Sequence, residues 1–427
     1  MGPVNSSAPG AVPPPAGLLR RAWRAGVGGL PAPFWWLWTG TLVNRAGAFV
    51  QPFLVLYLTG PRALSIGQSG VVLAAYGVGA FVSQPVGGVL TDRLGRRVTL
   101  VAGLAATGVM LGGLGAARGF GPIVVAALAL GVVNDLFRPA STAVIADLLD
   151  DDVRPRAFAL QFWAVNLGFS VAGVVGGLLA AHGYTVLFVV DALTCLAFAA
   201  LVGWRVPETR PERTVDAPPE RFEGLRAVGG DRLLQATIAL IFLYAVVYMQ
   251  VYTVLPLHTR DVGLGATAYG AAIAVNGVAI VVLQPLLLPV FDRVPRRVLM
   301  PVSLAVVGAG VAATGLASSL PLLMATVVVW SVGEIGFSGS IQALVTSLAP
   351  VHLRGRYAGA TGLAWGGSVL VGPLVGTAVY ARAPGWLWAG CLVTALVCAV
   401  GYPWLDRAVG RRADLDASSD PAVTLRP

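Results

Sequence analysis

Long apolar runs follow one another along the chain, separated by short polar breaks, and one longer polar interval divides them six and six. A bilayer core takes about 20 apolar residues per helix. The pattern therefore predicts membrane-spanning helices over 34–58, 65–90, 97–116, 121–149, 154–181 and 184–204. A second set follows at 233–257, 265–290, 297–317, 321–349, 354–381 and 384–405. The interval 205–232 carries Pro207, Pro211, Pro218 and Pro219 among alternating Glu and Arg, and reads as a flexible linker. The organisation expected is a disordered tail over 1–33, a six-helix half over 34–204, the linker over 205–232, a second six-helix half over 233–406 and a tail over 407–427.

The two halves share more than a helix count. Between spans 2 and 3 lies Gly88-x-Leu90-x-Asp92-Arg93-x-Gly95-Arg96-Arg97, a knot of charge between two apolar runs. Two hundred residues later Gln84-Pro85 and Asp92-Arg93-x-x-Arg96-Arg97-Val98 return as Gln284-Pro285 and Asp292-Arg293-x-x-Arg296-Arg297-Val298. Gly70 and Gly270, Gly77 and Gly277, Arg154 and Arg354, Arg156 and Arg356, and Gly176 and Gly376 keep the same offset. A fixed offset held over that length marks two structurally equivalent halves. The second copy puts Pro295 where the first has Gly95, so a tight turn that needs glycine is harder to form there. Gly168, Gly173, Gly176 and Gly177 in span 5 let neighbouring backbones approach closely, as do Gly366, Gly367, Gly372 and Gly376 in span 11. Pro52, Pro85, Pro139, Pro256, Pro285 and Pro373 are expected to kink their helices.

Composition narrows the class. Only 11% of the 427 residues are charged and mean hydropathy is +0.77, whereas a soluble domain carries about 25% charged residues to cover its surface. Every basic side chain among the 29 is Arg, which with the richness in Ala, Gly and Val points to a bacterial origin. The formal net charge of +9 is not the signature of nucleic-acid binding, because the arginines sit at helix ends and in loops. The tails, the linker and the 2–3, 4–5, 8–9 and 10–11 loops hold 23 of the 29, and the opposite loops only Arg62, Arg118, Arg260 and Arg382. By the positive-inside rule both termini are cytoplasmic, in a bacterial inner membrane. Arg20-Arg21 is followed by no short apolar core and cleavage site, so no cleaved leader is expected. Cys195, Cys391 and Cys398 fall inside apolar runs and read as packing residues, and His182, His258 and His352 at helix ends form no metal cluster. No cofactor or metal is expected.

Five ionisable residues lie well inside the spans: Arg45, Asp135, Arg138, Asp191 and Glu334. Each costs about 2.5–3.5 kcal/mol at a helix centre on insertion scales, so each should be paired or face a polar cavity. Asp135 and Arg138 are three residues apart and share a helix face. Glu334 has no basic residue within a helical turn, which makes it the better candidate for a group that takes up and releases a proton. Asp191, in the outer third of span 6, is expected to pair structurally.

The twelve spans, the six-plus-six repeat, the central linker and the motif at Gly88, Leu90, Asp92, Arg93, Gly95, Arg96 and Arg97 resemble the major facilitator superfamily. The resemblance implies an all-α integral-membrane fold with two pseudo-symmetric six-helix halves. It also implies that Asp92 and its loop, from Gly88 to Arg97, act as a conformational latch on the cytoplasmic side. Gly168, Ala172, Gly173, Gly176 and Gly177 partly match the span-5 motif of proton-coupled drug exporters, with Gly173 where they have proline. Ser368, Gly372, Pro373, Gly376 and Thr377 keep the Gly-Pro pair in span 11. Arg138 also stands where those exporters have an intramembrane arginine, and Pro207-Glu208-Thr209-Arg210 resembles a segment after helix 6 in sugar porters. Spans 1, 4, 7 and 10 line the cavity in this superfamily, which would gather Arg45, Asn44, Asp135, Arg138 and Glu334 with Tyr244, Tyr248 and Tyr252 around one aqueous site.

The expected function is a secondary transporter working by alternating access, with proton-coupled export of amphipathic small molecules or drugs first. Proton-coupled or uniport import of a sugar or organic anion is the alternative. No G-x-S-x-G, H-E-x-x-H or phosphate-cradling loop suggests an enzyme, and no large soluble domain suggests a sensor. The partners expected are a small-molecule substrate, protons and the lipid bilayer, with no nucleic acid, for a protein working as a monomer. Proton coupling falls to Glu334 or Asp135.

Overall fold

The computed structural model describes residues 28–150, 153–210, 230–348 and 354–418, all of whose regular elements are α-helices. Most of the expected tails and linker, together with His352, lie outside the described residues. In the first half, α1 (Ala32–Ala46) and α2 (Val50–Thr59) make span 1, α3 (Ile66–Leu94) span 2 and α4 (Arg96–Ala116) span 3. Span 4 is α5 (Phe120–Asn134) with α6 (Phe137–Leu148), and α7 (Arg154–Ala180) and α8 (Tyr184–Arg205) are spans 5 and 6. In the second half, α9 (Arg232–Thr253) and α10 (Leu255–Asp261) form span 7, followed by α11 (Gly265–Phe291), α12 (Arg296–Thr314), α13 (Leu320–Leu348), α14 (Arg354–Tyr380) and α15 (Pro384–Ser418). Eleven stretches among the described residues are long and apolar enough to cross a bilayer. The twelfth is span 1, whose two pieces of 15 and 10 residues each fall short of that length.

Three spans expected as continuous helices are broken, and prolines place the breaks. Proline has no N–H to give to the carbonyl four residues back, and its ring crowds that carbonyl. For Pro52, Pro139 and Pro256 the deserted positions are Ala48, Asp135 and Tyr252, and the chain breaks at Gly47–Phe49, at Asp135–Leu136 and at Val254. Pro85, Pro285 and Pro373 stay inside unbroken helices. At the far end α15 runs on to Ser418, so the start of the expected C-terminal tail is helical.

The halves meet along two seams related by the repeat. Gly70 and Gly77 of α3 abut Thr377 and Val369 of α14, and Gly270 and Gly277 of α11 abut Gly173 and Ser170 of α7. A Cβ at Gly77 would lie 2.6 Å from the Val369 carbonyl oxygen, and one at Gly173 2.6 Å from that of Gly270. These helices touch backbone to backbone, which only glycine permits. The repeated glycines thus build the seams. A third contact sets α2 against α9 and α10, where Arg260 Nη1 donates to Thr59 Oγ1 at 2.9 Å. Toward the Asp92 end a Cβ at Gly88 of α3 would meet none of the described residues within 4 Å.

Candidate functional site

In the second half, Glu334 of α13 is the centre of a polar cluster walled by rings. The Tyr248 hydroxyl donates to its Oε1 at 3.0 Å, and Asn276 Nδ2 donates to its Oε2 at 2.9 Å and to Ser331 Oγ at 3.0 Å. Among the described residues no cation pairs with it. Tyr244, nearly buried, stacks on Phe337 with centroids 3.6 Å apart, and Tyr248 meets Tyr252, Trp330 and Trp365 edge-on at 5.9, 6.2 and 6.0 Å. Helical spacing places Tyr244, Tyr248 and Tyr252 on one face of α9. Asn276, Trp330, Phe337 and Trp365 were not singled out by the sequence reading. A polar Asn inside an apolar run was the available signal.

The first half holds the remaining intramembrane charges. Asp135 Oδ1 lies 2.7 Å from Arg138 Nε across the break in span 4, a close ion pair whose N–H is not aligned for a hydrogen bond. The Arg138 side chain is 51% exposed. Arg45, at the end of α1, is only 7% exposed and makes no hydrogen bond or ion pair among the described residues. Its guanidinium lies over the rings of Phe137 and Phe169, 5.7 and 5.5 Å from their centroids. Beside it is a cavity of about 60 Å³, lined by Asn44, Arg45, Tyr76, Asn134 and Asp191 from the first half and by Met249, Tyr252 and Thr253 from the second. That volume takes a few waters or one small polar group and not a drug-sized molecule, which needs roughly 300 Å³ or more. Arg45 lies over Phe137, next to the Asp135–Arg138 pair in the chain, while Glu334 does not line the cavity; Tyr252 lines it with Arg45 and meets Tyr248, the donor to Glu334. The single gathering of charges expected from the sequence is split between the halves in this conformation.

Asp191 has a specific task. The head of α2 has no cap of its own, and Asp191 Oδ2 accepts from the Val50 amide at 3.0 Å across from α8. Asn44 Nδ2 donates to Cys195 Sγ at 3.2 Å, and that thiol in turn faces Asp191 Oδ1 at 3.9 Å. The expected structural pairing is therefore a carboxylate on helix-end amides, which anions favour. Asp191→Leu is expected to lower the unfolding midpoint in detergent, by the roughly 1–3 kcal/mol of a buried unsatisfied group. Asp191→Asn keeps an acceptor and should recover most of it; equal midpoints for the two variants would refute the cap.

The charged loop is ordered by a partner from outside the motif. Gly95 has φ +103°, a conformation that favours glycine, and the Glu208 carboxylate occupies the space a side chain there would need. Glu208 Oε1 and Oε2 accept from the Arg96 and Arg97 amides at 2.8 and 3.1 Å, capping α4 from the segment after span 6. Asp147 Oδ2 accepts from Arg96 Nε and Thr209 Oγ1, both at 3.0 Å, and Arg97 donates to the Gly203 carbonyl. Asp92 itself is 79% exposed, its nearest cation being Arg96 at 3.9 Å, and Arg93 is also exposed. In the second copy Ser347 replaces Asp147 and Arg296 turns to Asp406 at 2.9 Å, while Pro295 holds φ −55° where Gly95 is positive. The side chains of Arg354 and Arg356 lie outside the described residues.

Two repeated six-helix halves, joined along glycine seams and carrying polar clusters inside apolar spans, define a multi-pass membrane transporter. The family model described as Major Facilitator Superfamily matches residues 37–269 and 253–423, and the chain belongs to that family. It is 31% identical over 384 residues to the multidrug efflux pump Tap of Mycobacterium bovis, covering 79% of this chain and 86% of that one. It is 27% identical over 365 residues to the MFS-type transporter YhjO of Bacillus subtilis, covering 83% and 88%. Among solved structures, a point mutant of the nucleoside transporter NupG superposes with a TM-score of 0.75 at 12% identity, over 87% of this chain and 99% of that one.

Proposed function

We propose that the chain is a proton-coupled exporter of amphipathic small molecules, working by alternating access in a bacterial inner membrane with both termini in the cytoplasm. The observation that carries this reading is Glu334: a carboxylate inside the membrane, held by Tyr248 and Asn276, facing aromatic walls and without a counter-cation among the described residues. No cation among the described residues claims its charge, so a proton or a bound substrate can each neutralise it, which is the competition an antiporter requires. The rings of Tyr248, Tyr252 and Trp365 supply apolar surface with polar handles for amphipathic guests. The likeness to the multidrug efflux pump Tap supports export over import. Transport in proteoliposomes under an imposed pH gradient, with a panel of cationic, neutral and anionic compounds, tests the reading. Movement of any panel member against its gradient, reversed when the pH gradient is reversed, is expected; no pH-driven movement of any of them rejects it.

Contacts of α2 with α9 and α10 at the end away from Asp92, and a Gly88 whose Cβ would meet none of the described residues, support a conformation open to the cytoplasm in the proposed orientation. The exposed Asp92 is then a latch released, which re-forms as that side closes. Glu208, Asp147 and Arg96 keep its loop in shape meanwhile. Asp92→Asn should cut turnover while leaving substrate affinity within about a few-fold. Asp292→Asn should do less, because the second copy lacks both the glycine turn and the counterpart of Asp147. Near-normal turnover in Asp92→Asn, or the opposite ranking of the two, argues against the latch.

A further inference from the structure

We propose that the transported molecule is a zwitterion, its anionic group taken by Arg45 of the first half and its cationic group by Glu334 of the second. This names the substrate class of the carrier proposed above and rests on that reading. Arg45 is more than nine-tenths buried, and its Nε has no partner. A buried cation with no direct ion pair or hydrogen bond is expensive. Neither nearby acid bonds it: Asp135 lies 2.7 Å from Arg138, and Asp191 turns its Oδ2 to the Val50 amide at 3.0 Å. Beyond Tyr252, which lines the cavity with Arg45, and Tyr248, whose ring lies 5.9 Å from it, Glu334 has the mirror-image deficit, with two neutral donors and no cation among the described residues.

A guest with one charge relieves one deficit and leaves the other buried. A guest with both relieves both, and each charge of the loaded site has a partner before the halves close over it. The surroundings match the two ends. The cavity of about 60 Å³ beside Arg45 has room for a carboxylate head and little more, and guanidinium groups bind carboxylates well. Beside Glu334 the rings of Tyr248 and Trp365 offer π-faces that favour an ammonium group. Protonation of Glu334 then removes the ammonium's partner, so release of the guest and uptake of the proton occur at one carboxylate.

The test uses the purified full chain and three probes on one scaffold, each relative blocked at one charged group: Nε-dansyl-lysine, a zwitterion; its methyl ester, a cation; and its Nα-acetyl derivative, an anion. Binding is read from dansyl fluorescence and transport from pH-driven flux in proteoliposomes. The zwitterion is expected to bind at least about tenfold more tightly than either relative, since each relative leaves one buried charge unpaired. Arg45→Gln should bring the zwitterion down to the level of the ester, and Glu334→Gln down to the level of the acetyl derivative. Arg45→Lys should retain part of the preference, which separates recognition of charge from loss of fold. If wild type binds the ester or the acetyl derivative as tightly as the zwitterion, the inference is wrong while the export reading stands. If none of the three binds but another compound moves under the pH gradient, the inference likewise fails. Absence of any pH-driven flux across a wider panel removes the export reading itself.

Discussion

Glu334→Gln is expected to reduce pH-gradient-driven flux in proteoliposomes to background, while downhill exchange of substrate persists. The substitution keeps the size of the side chain and an oxygen able to accept from Tyr248, so the ring-walled cluster is expected to stay in place. What is lost is the carboxylate of this cluster, and with it the group on which proton and guest compete. Asp135→Asn provides the comparison. It breaks the 2.7 Å contact with Arg138, and from the sequence such a loss would leave an unpaired charge at mid-membrane. The geometry softens that expectation. The Arg138 side chain is half exposed, so its charge is partly screened once the partner is gone. Asp135→Asn should therefore weaken binding or stability yet leave flux dependent on the pH gradient. Full coupling in Glu334→Gln would sink the assignment, and coupling lost only in Asp135→Asn would transfer the role to the break in span 4.

Gly77→Val should lower transport at least about tenfold with little change in the amount of folded protein. The Cβ would sit 2.6 Å from the Val369 carbonyl oxygen and 2.7 Å from the Leu370 amide nitrogen. Both are backbone atoms of α14, so no side chain can swing aside. Overpacking of this kind costs roughly 1–3 kcal/mol, and about 1.4 kcal/mol is a factor of ten in an equilibrium. The cost falls on the conformation in which this seam is closed, so it shifts the balance between the two access states. Gly112→Ala in α4 is the control, because a Cβ there meets nothing within 4 Å. Crosslinking or accessibility at the Asp92 end should change with Gly77→Val and not with Gly112→Ala. Normal transport by Gly77→Val would mean that the seam tolerates separation and does not set the balance.

What could be read from the chain alone was whatever depends on local composition and periodicity. Apolar runs long enough for a bilayer have few other uses, so the spans were legible, and a 200-residue offset between matching motifs is arithmetic on the sequence. The isolation of Glu334 was legible for the same reason, since cationic neighbours within one helical turn can be counted. Even the prolines that break spans 1, 4 and 7 were visible, although Pro52, Pro139 and Pro256 break their helices while Pro85, Pro285 and Pro373 do not. That distinction depends on what surrounds each helix. The remaining features join residues far apart in the chain. Asp191 reaches Val50 across 141 residues, Glu208 reaches Arg96 across 112, and Gly77 meets Val369 in the other half. Arg45 was expected to join the other charges in one site. Only packing decides that Asp135 is taken by Arg138 and Asp191 by a helix end, leaving Arg45 buried without a partner among the described residues. A hydrogen bond or ion pair is made at about 3 Å, and separation along the chain says nothing about which groups come that close.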